Sequence, residues 1–157
     1  MKSDITPANG ILNMIDRLLI PPANSCLTNL GRNAKKKLFL LAINKADITA
    51  TFTASPITVF APTNAAMTAA GYDSVSIANL SAAGITTLTN ILKYHVVALR
   101  IFTNDLADGN LKTVQGTNVI ISNGGTKVKG TTNTAPASVT VPNTINTTGV
   151  IHRTEKR

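Results

Sequence analysis

The chain has 157 residues and a mass of 16.4 kDa, one ordinary domain's length, enough to bury a core without metal or disulfide staples. Its single cysteine, Cys26, excludes an intramolecular disulfide framework and any multi-thiol zinc or iron–sulfur site. The net charge of +8 is scattered except at Arg32 with Lys35-Lys36-Lys37, and no stretch approaches the roughly 18 consecutive apolar residues of a membrane span.

Among the polar residues, 23 Thr and 16 Asn stand against one Glu, Glu155. Thr suits half-buried pleated surface and Asn suits turns, so the bias points to an extracytoplasmic binding domain rather than a cytosolic enzyme. At the N-terminus the apolar run over residues 10–20 is interrupted by Asp16-Arg17 and lacks a small-residue cleavage site, so it does not read as a signal peptide. An export signal is expected upstream of this chain.

In chain order, residues 10–20 are aliphatic and β-branched and close at Pro21-Pro22, which predicts a strand. From Ser25 to Asn44 the apolar residues recur at helical spacing, with the lysine cluster on the solvent side. Ile57 to Phe60 reads as a short buried strand. Thr63 caps a helix from Asn64 to Ala70 that Gly71 ends. One or two helices are expected over 75–92, with Ser81 as a cap. Lys93 to Phe102 reads as strand, and Thr103 to Leu106 as one helical turn. Residues 112–129 alternate around an Asn123-Gly124-Gly125 hairpin turn. Strands over Ala137 to Val141 and Gly149 to His152 complete an α+β fold, helices first and strands after.

Chemistry-bearing patterns are sparse. His95 and His152 stand 57 residues apart without a ligand spacing such as H-x-x-x-H, so each is expected to be hydrogen-bonded in a strand-rich core, with no metal and no cofactor. No G-x-S-x-G elbow exists and Cys26 has no histidine nearby in sequence, so no catalytic residue is assigned. Aromatics make up 4% of the chain, too few for a base-stacking stripe, and nucleic acid is not an expected partner.

Three motifs carry a family likeness. The run Thr58-Val59-Phe60-Ala61-Pro62-Thr63-Asn64, continuing to Met67, resembles the first signature of the fasciclin (FAS1) domain. Leu92 to Val97, with Tyr94-His95, resembles its central Tyr-His motif. Asn146 to His152, with Gly149-Val150-Ile151-His152, resembles its second signature. The resemblance implies a FAS1-like β-sandwich or wedge with short helices packed on it, over residues 23–157. Phe60, Leu92, Val96 and Ile151 are expected in the core.

The segment 1–22, with Gly10-Ile11-Leu12-Asn13 echoing Gly149-Val150-Ile151-His152, resembles the closing strand of a preceding repeat. Since Arg153 to Arg157 replace the usual apolar continuation, the final strand is expected to stop short and residues 10–20 to pack beside it, or to swap between two chains. The resemblance further implies a non-enzymatic cell-surface adhesion or matrix module, monomeric, with a surface protein or glycan as partner. A glycan- or small-ligand-binding envelope domain is the alternative. Tyr94-His95 corresponds to a pair linked to adhesion in animal members, and with Lys35, Lys36 and Lys37 it forms the candidate interaction surface. The Asp-Ile pair of those members is Thr144-Ile145 here, so integrin binding is not implied.

Overall fold

A computed structural model of the chain describes residues 18 and 20–155. Helices dominate the first half. They are α1 (Cys26–Arg32), α2 (Lys37–Lys45), α3 (Thr49–Thr53), α4 (Asn64–Ala69), α5 (Ser74–Ala78) and α6 (Ala82–Tyr94). The strands are β1 (Ile57–Pro62), β2 (Val96–Val97), β3 (Gly109–Lys112), β4 (Asn118–Ser122), β5 (Lys127–Gly130), β6 (Ala137–Ile145) and β7 (Gly149–Glu155). They form one seven-stranded sheet in the order β2-β1-β7-β6-β5-β4-β3. Among the described residues only β1 and β7 run parallel; every other pair is antiparallel. The sheet curls until the Val114 amide donates to the Val96 carbonyl at 2.8 Å, joining the region after β3 to β2 at the far edge. The mixed helix and strand class is as expected, in a nearly closed sheet.

Strand β1 is buried along its whole length, so its two faces serve two cores. Ile57, Val59 and Ala61 join Phe39, Ile43, Phe52, Leu88, Leu92 and Ile151 beneath the helices. Phe60 faces the opposite way and packs with Val97, Leu106, Val119, Ile121 and Val128 inside the curled sheet. All four expected core residues are buried.

Several expectations need correction. The helix over Ser25 to Asn44 is two helices broken by a short 3-10 turn, Ala34–Lys36, because the Asn33 side chain accepts from the Lys35 amide and restarts the chain. Lys36 is not on the solvent side: it is 3% exposed. Lys93 and Tyr94 end α6 rather than begin a strand, and only Val96–Val97 is extended. Strand β7 continues through Arg153 and Thr154 to Glu155 instead of stopping short, with Thr154 facing inward and Arg153 paired to β1 and β6. The expected packing of residues 10–20, on this domain or swapped between chains, falls outside the described residues except at Leu18 and Ile20, which are exposed. Strand β7 already has β1 on one side and β6 on the other, so no sheet position is open beside Gly149 to His152.

Candidate functional site

The first-signature residues fasten separate elements together. The Thr58 hydroxyl donates to the Leu99 carbonyl at 2.6 Å and accepts the Ile101 amide at 2.9 Å, holding the segment after β2 against β1. Val59 and Pro62 are buried with the rest of the strand. Thr63, extended at φ −73°, takes the Ala66 amide on its side chain and so starts α4. Asn64 accepts from the Leu38 amide at 3.0 Å and donates to the Ala34 carbonyl at 2.8 Å, tying α4 to the start of α2.

The second signature lies on β7. A Cβ on Gly149 would overlap the Ile57 carbonyl oxygen, so β1 and β7 approach as closely as they do only because position 149 is glycine. Val150 and Ile151 are fully buried on opposite faces. His152 is buried too, stacked on Phe60 with centroids 5.5 Å apart. Opposite it, β6 is irregular: Pro142 lacks an amide proton, the register shifts, and Asn143 sits at φ 56°. The Asn143 amide freed by that bulge donates to His152 Nδ1 at 3.3 Å. Nδ1 therefore carries no proton, and Nε2 donates to the Ile101 carbonyl at 3.0 Å. Burial holds this imidazole below its ordinary pKa, with the Ile101 bond opposing.

The central motif is different. Tyr94 is the last residue of α6 and His95 its cap, so the pair closes a helix rather than lying within a strand. The Tyr94 hydroxyl donates to the Asn118 carbonyl at 2.7 Å and accepts the Thr131 amide at 3.0 Å, bracing the ends of β4 and β5. His95 Nδ1 donates to the Ile91 carbonyl at 2.8 Å, and its ring meets Phe39 edge-on at 5.8 Å. Burial lowers its pKa as well, against the Ile91 bond.

Both residues line an open cavity of about 600 Å³ between α4, α6 and the β4–β5 hairpin. Phe60, Met67, Tyr72 and Ile91 supply much of its apolar wall, and Asn90, Gln115 and Asn133 add amides. No element alone announces this cavity in the sequence, since its lining is gathered from residues as distant as 60 and 154.

The lysine cluster does not form one cationic face. Lys35 and Lys37 are exposed, whereas Lys36 is buried and its pKa pushed down by burial and by Arg153. Cys26 is buried and burial pushes its thiol up, away from reactivity. Among the described residues no three His, Cys, Asp or Glu side chains cluster as metal ligands, and no helix is long and apolar enough to cross a membrane.

Comparison with known proteins matches this architecture. Among solved structures the chain is similar to a FAS1 domain pair from the insect cell adhesion molecule fasciclin I, with a TM-score of 0.70 at 18% identity. That match covers 96% of this chain and 56% of the other, so the chain spans about half the neighbour's length. No curated protein matches. The family model for the fasciclin domain matches residues 34–156, and the chain belongs to the fasciclin family.

Proposed function

We propose that the chain is a non-enzymatic adhesion or matrix-interaction module working at a cell surface or in the extracytoplasmic space. The observation that carries this reading is the fasciclin domain match over residues 34–156, together with a neighbour described as a cell adhesion molecule. The hydrogen bonding of Thr58, Asn64, Tyr94 and His152 supports assigning the motif residues to the fold itself, with Val59, Phe60, Pro62, Thr63, Gly149, Val150 and Ile151 beside them. Partner contact then falls to the outer surface, with a surface protein or glycan as partner. One such domain binds weakly, and repetition along a surface multiplies the effect.

The test is adhesion of beads carrying many copies, measured on protein-coated and glycan-coated surfaces beside a panel of hydrolase substrates. Retention far above that of the single domain, with no turnover, supports the reading; turnover of any substrate without retention overturns it. A ligand-binding role is the second reading, and the cavity beside His95 is the observation that favours it.

A further inference from the structure

The cavity between α4, α6 and the β4–β5 hairpin combines three properties that select a ligand. Its volume of about 600 Å³ falls in the range of small-molecule sites, roughly 300–1,000 Å³. Among the described residues no Asp, Glu, Lys or Arg lines it, although the chain as a whole carries +8. A charged guest would lose its hydration there without a counter-charge, so the cavity selects neutral molecules. Phe60, Tyr72, Tyr94 and Met67 line it with aromatic rings and a thioether, which favour an aromatic guest.

The polar groups decide the rest. Tyr94 has spent its hydroxyl on Asn118 and Thr131, and Gln115 has spent its carbonyl oxygen on Thr117. His95 has not. The Ile91 carbonyl can only accept, so Nδ1 holds the proton and Nε2 of the neutral ring is left with a lone pair. Among the described residues Nε2 has no protein partner, yet it is not sealed away as Asn146 Oδ1 is, and the cavity is the opening that His95 lines.

We propose that this cavity binds a neutral aromatic molecule bearing a hydroxyl, a phenol, whose O–H donates to His95 Nε2 while its rings lie against Phe60, Tyr72 and Met67. This deepens the ligand-binding reading and is independent of the adhesion reading, which concerns the outer surface.

The experiment titrates the whole purified chain near neutral pH with 2-naphthol and with 2-methoxynaphthalene, which keeps the rings and lacks the donor. The phenol should saturate one site per chain and bind about tenfold more tightly than the ether. His95→Phe should retain ether binding and bring the two probes within about twofold. Ala66→Trp, which fills the cavity from α4, should weaken both probes by about tenfold or more. Should His95→Phe fail to fold, nitrogen NMR of the wild-type imidazoles decides. Addition of 2-naphthol should shift the His95 Nε2 resonance and leave both nitrogens of His152 in place. Absence of saturable binding, a phenol preference that survives His95→Phe, or an unmoved Nε2 resonance would each overturn the proposal.

Discussion

The surroundings of the two histidines differ in one respect that governs everything else about them. His152 lies inside the curled sheet with both ring nitrogens engaged, one accepting the amide freed by the β6 bulge and the other donating to Ile101. His95 lies at the end of α6 with one nitrogen engaged and the other side of its ring on a cavity. A ring whose two nitrogens already satisfy backbone has no capacity left for a ligand; a ring with one satisfied is held still and keeps an acceptor. Histidines from two different family motifs thus take different chemistry from the elements that surround them.

That contrast can be broken from the His152 side first. Gly149→Ala puts a Cβ into the Ile57 carbonyl and forces β1 from β7, and should cost about 4 kcal/mol in urea denaturation. A loss below about 1 kcal/mol would show that the two strands separate readily. His152→Ala strands the Asn143 amide and the Ile101 carbonyl and removes the stack on Phe60, for about 3 kcal/mol. His95→Phe loses one hydrogen bond at a helix end and should cost only about 1 kcal/mol. Equal losses at the two positions would erase the distinction.

Acid sharpens the same comparison. Both rings are held neutral, with pKa values below the ordinary 6.5, so the unfolded chain takes up protons first as the pH falls. Their contribution to stability is full above 6.5 and is lost as the pH drops through the lowered folded values. The urea midpoint should therefore fall on acidification below 6.5, and less steeply in His95→Phe, which retains only the His152 share. A midpoint that rises in acid would reverse the sign and refute both assignments. An effect as small as that of His95→Phe is expected at the cavity's edge. Thr63→Ala removes the cap of α4, the helix that carries Ala66 and Met67, and should cost about 1 kcal/mol by thermal melting. An unchanged melting temperature would mean that the cap contributes nothing.

Much of this architecture was legible in the residues because local chemistry and the fold agree. Thr63, Gly71 and the Asn123-Gly124-Gly125 turn each sit where their backbone or side chain is needed, with Gly71 at φ 83° and the three turn residues all at positive φ. The residues around 91–97 misled for the opposite reason. An apolar run crossing from helix to strand carries no single period, and tertiary contact places the change at His95. Helix α3, Thr-Ala-Thr-Phe-Thr, has poor intrinsic propensity and owes its place to the burial of Phe52 against Phe39. The burial of Lys36 was hidden because a lysine run reads as solvated until another element covers one member. The cavity was hidden because it is made by topology rather than by any segment.

The parallel pairing of β1 with β7 has a consequence for biosynthesis. Residues 57–62 leave the ribosome about ninety residues before 149–154, yet β1 is buried on both faces and pairs with only two residues of β2 on its other side. Until the last strand emerges, Ile57 to Pro62 is an apolar strand with an open edge in a nascent chain, the state in which stray pairing is most damaging. Delayed synthesis or export between those two segments prolongs that exposure, and the strand that organises the finished domain is the one whose pairing spans the most chain.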